Sequence, residues 1–260
     1  MGRPNPDAAR RDMRRAAHLF TLGFLILWAI YAQIVEPFIM PGPVSVAVRL
    51  YEFFTDYHLV KHMFWSFAHI GGAILASFLI GSACAFLVFY LPSFRIMVHG
   101  RLSPFLNSFS GIGWTLLAII WFGVNDFTVM FAISMVLTPF SIINMREGLE
   151  AIDREMLEMG ASFGRGRWRA FRLLILPALF PFVFATLRIS FGVAWKVALT
   201  AELFGGDTGL GYLLNLARQD FDMPMILVVI IVIIMFVYST DRWVFAPVQT
   251  RLARHHAAAG

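Results

Sequence analysis

Charge is what this sequence has least of. Asp, Glu, Lys and Arg make up 14% of its 260 residues, where a water-soluble domain uses about 25% to cover its surface. That shortfall excludes an ordinary aqueous globule. Cysteine is nearly missing as well: Cys84 stands alone inside an apolar run, so no intrachain disulfide can form and no thiol metal spacing exists. Nor is there a glycine-rich loop followed by Lys-Ser or Lys-Thr, so the chain has no Walker-type cradle for nucleotide phosphates.

What is plentiful is apolar. Hydrophobic residues reach 59%, with 27 Phe, 13 Met and 7 Trp, and the mean hydropathy is +0.72. A surface of that kind is tolerable where the surrounding medium is lipid. The net charge of +5 would suit a nucleic-acid partner, but the basic residues are gathered in short segments between apolar runs, as membrane topology requires. No nucleic acid is expected; membrane lipid is.

A membrane helix needs about 20 mostly apolar residues, and six stretches supply them, at about 18–38, 66–90, 102–122, 127–145, 175–200 and 223–241. Arg10, Arg11, Arg14 and Arg15 before the first stretch resemble a signal peptide. The uncharged run Leu19–Val35 is longer than such a core, however, and Glu36-Pro37 is a poor cleavage site, so it reads as a retained span. The second stretch carries the small-residue series Gly71, Gly72, Ala73, Ala76, Ser77, Gly81 and Ala83, which lets another helix approach closely.

Charge then orients the spans. With the N-terminus inside, segments 1–17, 91–101, 146–172 and 242–260 hold 16 of the 21 Lys and Arg residues, and the outer segments hold Arg49, Lys61 and Arg218. Cytoplasmic loops are the basic ones, so both ends are expected in the cytoplasm. The expected class is all-α, a polytopic membrane protein with six transmembrane helices. A basic segment at 1–17 precedes the transmembrane domain at 18–243, and a tail at 244–260 follows it.

Two connections are too patterned to be simple returns. Outside, Pro41-Gly42-Pro43 precedes a short helix over Val44–Tyr57, with Val44, Val48, Tyr51 and Phe54 on one face toward the membrane or the bundle. Inside, residues 146–172 mix six Arg with five acids yet keep apolar positions such as Met156, Met159 and Phe163. That pattern fits a helix docked on a cytoplasmic protein, or one lying on the lipid surface.

At this loop the sequence resembles the binding-protein-dependent permeases of bacterial ABC importers. Their signature reads Glu-Ala-Ala, three residues, Gly, nine residues, Ile, one residue, Leu-Pro. Glu158-Met159-Gly160 stands at the first triplet, Gly164 at the glycine, and Leu174, Leu176 and Pro177 at the close. Met159 and Gly160 replace two alanines, and Leu174 replaces the isoleucine. Ile119–Gly123, Pro139, Asn144, Gly148, Pro177 to Pro181, Leu187–Trp195, Ala201-Glu202 and Gly209–Gly211 are similar to the nitrate, sulfonate and taurine branch, in the same order.

The resemblance implies an importer in a bacterial inner membrane without identifying its solute; a small anionic solute is the leading reading, in agreement with the nitrate and sulfonate branch. The resemblance also implies a second copy of this chain, two cytoplasmic ABC ATPase subunits that bind ATP and Mg, and a periplasmic or lipid-anchored solute-binding protein. It implies no cofactor, metal or catalytic residue in this chain. The coupling helix would carry Glu155, Glu158, Met159, Gly160, Phe163, Gly164, Arg165 and Arg167, with Trp168 and Phe171 tying it to the bundle.

A pathway needs polar, small or aromatic groups on apolar helices. Asn107, Ser110 and Trp114 on the third span and Ser134 and Thr138 on the fourth are the candidates, with Arg188, Trp195 and Lys196 on the fifth. A charge at membrane depth costs at least about 2.5 kcal/mol near the centre. Arg188 therefore either meets an anionic solute or pairs with a carboxylate or carbonyls, and Lys196 either does the same or snorkels outward. Glu202, also a pathway candidate, and Gly205–Gly211 are expected as an outer loop, a gate or docking surface, with an ordinary hairpin as the alternative. His58 and His62, four residues apart, have no third ligand nearby and are expected as solvated or interfacial, and His69 and His99 are no better as metal ligands. An ion-gradient transporter would need intramembrane carboxylates, and no Asp or Glu falls inside spans two to five drawn this way. A membrane enzyme would need convergent acid-base groups, and the seven histidines are scattered.

Overall fold

A computed structural model describes residues 6–36, 38–152 and 171–248, and every regular element among them is helical. Five helices are long and apolar enough to cross a membrane: Arg15–Ile34, Tyr57–Tyr90, Asp126–Glu150, Leu176–Gly205 and Met223–Val248. A sixth crossing exists if the bent pair Pro92–Ser108 and Gly111–Phe122 is one span. The chain divides into two compact units, Met1–Val60 with Leu216–Ile231, and Lys61–Asn215 with Val232–Gly260.

In the first unit, α1 (Pro6–Ile34) leads to α2 (Pro43–Thr55). Pro43 opens α2, where its fixed φ suits a helix start and its missing N–H costs nothing. The Trp28 indole donates to the Pro41 carbonyl at 3.1 Å and fixes the entry of the chain. Arg49 on α2 donates to Glu52 at 2.8 Å and to Asp222 at 2.6 Å. The bond to Glu52 holds its guanidinium above the usual arginine value, against some cost of burial and with help from Asp222. Val44, Val48, Tyr51 and Phe54 are 49% to 75% exposed, while Val46 and Phe53 are buried. The expected apolar face is thus present but uncovered by protein, the arrangement of a helix at a lipid interface.

In the second unit, α3 (Tyr57–Tyr90) is followed by α4 (Ser103–Ser108), α5 (Gly111–Phe122) and α6 (Asp126–Glu150). After residues 153–170 comes α7 (Leu176–Gly205); α8 (Leu210–Gln219) begins in this unit and ends in the first, and α9 (Met223–Thr240) begins in the first and ends in this one. The axis is α6, with 56% of its apolar window buried against 28% for α3, 17% for α7 and 22% for the last span. Gly81 of the small-residue series does what its size allows: a Cβ there would strike the Ser141 side chain and crowd Ile142 N at 3.0 Å.

The third span differs from its expected form. It is not one helix over 102–122 but two pieces bent by 87°. The cause is a local start signal. Phe109 and Ser110 are extended, and the Ser110 hydroxyl accepts from Gly113 N at 3.3 Å as the N-cap of α5. The Trp114 indole then donates across the corner to Leu106 O at 3.2 Å. Helix ends also lie beyond the hydropathy limits, with α6 reaching Glu150 rather than 145 and α7 reaching Gly205 rather than 200. The first five residues of the expected 146–172 loop therefore belong to α6.

Ala85, Met145, Leu149, Ile152, Ile175 and Leu179 form a buried cluster at the ends of α3, α6 and α7 that flank residues 153–170. Elsewhere large apolar side chains such as Leu75, Ile120, Phe180 and Ile234 stay exposed, which water would penalise and lipid does not.

Candidate functional site

Glu202 is the most constrained ionisable group in the second unit. It was expected in an outer loop; α7 runs on to Gly205, so Glu202 sits in the last helical turn and is 1% exposed. A carboxylate there meets the negative end of the helix dipole and loses its water, so it must be repaid by donors. Ser66 Oγ and Gly211 N donate to Oε2 at 2.8 Å each, and Oε1 lies 2.9 Å from His69 Nδ1. Gly211 belongs to the first turn of α8, whose positive end the same carboxylate faces. One side chain therefore joins the end of α7, the start of α8 and the middle of α3.

His69, also 1% exposed, carries the network onward. Its Nε2 lies 3.0 Å from Asp126 Oδ1, at the first residue of α6, and Thr208 Oγ1 donates to that same oxygen at 2.6 Å. Leu210 N donates to Ser66 Oγ at 2.8 Å and Gly209 N to His62 Nδ1 at 3.2 Å. Gly209 has φ +102, and a Cβ there would run into the Glu202 carboxylate. Only glycine fits that position.

The expectation of no carboxylate within spans two to five is corrected by this placement. Glu202 lies inside the fifth helix because that helix is longer than its apolar run, and Asp126 opens the fourth. His69, for which the sequence offered no role, is buried inside the bundle. The sequence signal was an ionisable group in an uncharged apolar run, which normally faces a partner inside the bundle.

Of the other pathway candidates, Trp114, Ser134 and Thr138 are buried. Ser134 Oγ donates to Met130 O at 2.7 Å, with Ala73 O of α3 at 3.4 Å, and Thr138 Oγ1 donates to Ser134 O at 2.7 Å, so both hydroxyls are engaged by helix carbonyls. Asn107 is exposed on α4, and Ser110 is exposed as the cap of α5. Arg188 is paired with a carboxylate: its Nε and Nη2 lie 3.1 and 3.0 Å from Asp241 Oδ1.

Lys196 is different. It is exposed and lines a groove of about 540 Å³ with Gly192, Trp195 and Leu199 of α7 and Ile233, Val237 and Tyr238 of α9. Its ammonium has no ion pair or hydrogen bond among the described residues. Asp241, the carboxylate at the groove's edge, is held by Arg188. Trp195 is buried beside Phe67, Phe191 and Phe236, and its indole N–H lacks an acceptor among the described residues.

Glu155, Glu158, Met159, Gly160, Phe163, Gly164, Arg165, Arg167 and Trp168 lie outside the described residues. Phe171 opens the π-helical turn Phe171–Ile175 that enters α7. On the near side of the gap, Arg146 donates to Glu150 at 2.8 Å. Among the described residues no group of three His, Cys, Asp or Glu side chains is placed to hold a metal.

The family described as binding-protein-dependent transport system inner membrane component matches residues 19–246. A probable ABC transporter permease protein of Brucella melitensis is 28% identical over 198 residues, covering 75% of this chain and 79% of its own length. The taurine transport system permease protein TauC of Escherichia coli is 25% identical over 232 residues, covering 86% of this chain and 82% of its own. Among solved structures, a chain of the MetNI methionine ABC transporter in an inward-facing conformation superposes with a TM-score of 0.61 at 15% identity. That match covers 76% of this chain and 95% of the other.

Proposed function

This chain belongs to the binding-protein-dependent transport system inner membrane component family, and from that premise we propose that it moves a small anionic solute inward as one half of a permease pair. As a multi-pass inner-membrane permease subunit of an ABC importer it moves a small solute. The finer reading is that two copies form the pathway, with both chain ends and the 146–172 loop in the cytoplasm. Two ATPase subunits dock on that loop, and a solute-binding protein delivers cargo from outside. The bias of 16 of 21 basic residues to one set of loops supports the orientation.

The observation that carries the anionic reading is Lys196. A cation on an apolar helix, with no ion pair among the described residues because the groove's Asp241 is held by Arg188, is costly unless water or an anion reaches it. The name of the taurine permease agrees with a sulfonate-like cargo. Arg188 is satisfied by Asp241 and is assigned to holding α7. Glu202 and Asp126 supply carboxylates that a gradient-driven carrier would need, but both are engaged in tying helices together.

Two variants test the coupling loop. Glu158→Lys and Gly164→Trp are expected to lower solute-stimulated ATPase activity strongly in complexes pulled down with the ATPase. Full stimulation with normal assembly in both variants removes the loop from the coupling path.

A further inference from the structure

The outer-loop residues that follow α7 are captured by side chains in an unusually complete way. Three consecutive amides, Gly209, Leu210 and Gly211, donate to His62 Nδ1, Ser66 Oγ and Glu202 Oε2. Thr208 Oγ1 donates to Asp126, and Asn125 N donates to Gly205 O at 3.1 Å. The turn 206–211 is therefore held by side chains of α3, α6 and α7, and His69 bridges two of them, Glu202 and Asp126.

An ionised carboxylate only accepts, and a neutral imidazole has one N–H. Yet both ring nitrogens of His69 face carboxylate oxygens, at 2.9 and 3.0 Å. Each of those contacts needs a hydrogen between its atoms. The set of His69, Glu202 and Asp126 must therefore hold one proton beyond the neutral imidazole's own. Without it, one nitrogen lone pair would face a carboxylate lone pair.

Which contact fails on losing that proton follows from exposure. The Glu202 side chain is 1% exposed and the Asp126 side chain 35%. Water can reach Asp126 but not Glu202, so a neutral His69 keeps its single hydrogen on Glu202 and lets go of Asp126. Gly209 adds an opposite requirement, since its amide needs a lone pair on His62 Nδ1 and protonation of His62 removes it. The other titratable or charged groups nearby are Asp207 beside Asp126, Lys61 beside His62 and Tyr212, whose ring lies 5.6 Å from that of His62. Trp65 contributes only a ring, 6.1 Å from His69.

We propose that Ser66, His69, Glu202, Asp126 and Thr208 form a proton-held latch on the 206–211 turn, with His69 as its positioning residue. The latch is closed in a pH window, opened on the alkaline side by deprotonation of the His69 set and on the acid side by protonation of His62. In the importer this turn lies at the face that meets the solute-binding protein, a placement that rests on the orientation proposed above. Opening the latch would then change uptake, while the latch itself stands on the geometry alone.

The test is hydrogen exchange of the Gly209, Leu210 and Gly211 amides in the full chain in lipid nanodiscs, corrected for the intrinsic rise of exchange with pH. Losing the His69–Asp126 contact frees Asp126 and the Thr208 hydroxyl it holds, so the turn opens from that end, and wild-type protection is expected to fall by about tenfold or more between about pH 7 and about pH 9.5. His69→Gln is expected to have lost it already at neutral pH. His69→Arg, which cannot give up its charge, is expected to keep protection on the alkaline side. Glu202→Gln should exchange fast throughout and serves as a control if the Arg variant does not fold. Protection that is flat with pH in the wild type, or that matches wild type in His69→Gln, overturns the latch. Latch behaviour without any pH profile in uptake would leave the latch standing and count against the orientation instead.

Discussion

Replacing Glu202 by alanine should be the most damaging single change at the outer network, and its size can be worked from the bonds it removes. Ser66 Oγ, His69 Nδ1 and Gly211 N would all lose their acceptor at a site only 1% exposed. Leaving one buried donor unsatisfied costs about 1–3 kcal/mol. Three such donors set a floor near about 3 kcal/mol, since water can enter the space left by the side chain and repay part of the rest. In a chain of this size about 1 kcal/mol moves a melting midpoint by about 2–4 °C, so the drop should be at least about 6 °C. Glu202→Gln keeps one acceptor oxygen and should fall between wild type and alanine. Thermal unfolding in detergent, followed by circular dichroism, reads all three. An alanine variant within about 1 °C of wild type would refute the account of Glu202 as a structural centre.

Other consequences follow from single contacts. Gly209→Ala places a side chain at φ +102 against the Glu202 carboxylate and should cost at least about 1–2 kcal/mol, seen as a lower melting midpoint. Trp114→Phe keeps the packing but deletes the indole donor to Leu106 O at the α4–α5 corner, and a loss of about 1 kcal/mol is expected in the same measurement. Lys196→Met should leave stability nearly unchanged while lowering uptake of a labelled sulfonate at limiting concentration. Unchanged uptake there would remove the anion-contact role.

Much of the architecture could be read without coordinates because lipid imposes it. Apolar runs of sufficient length mark spans, and a Pro-Gly-Pro turn followed by an apolar stripe marks α2. The same averaging hid the corner in the third span. Ser108, Phe109, Ser110 and Gly111 are apolar enough together to pass as membrane helix, yet Ser110 is a capping residue and starts a new one. Hydropathy also marks the lipid core rather than the helix ends, so Glu202 and Glu150 read as loop residues although both lie in helices.

The polar network was less legible for a different reason. Glu202 and His69 are 133 residues apart, and Asp126 and Thr208 are 82 apart. No local pattern states that distance. Each residue alone has an ordinary explanation, and only the packing of α3, α6 and α7 brings them together. Arg188 was the converse case, since a charge at membrane depth demands a partner and Asp241 supplies it.

The most direct measurement is uptake by proteoliposomes carrying this chain with its ATPase and binding protein, supplied with a labelled small sulfonate. Accumulation is expected only with ATP on the ATPase side and the binding protein opposite, with no ion gradient needed. Accumulation driven by a proton or sodium gradient in the absence of ATP would contradict an ATP-driven permease.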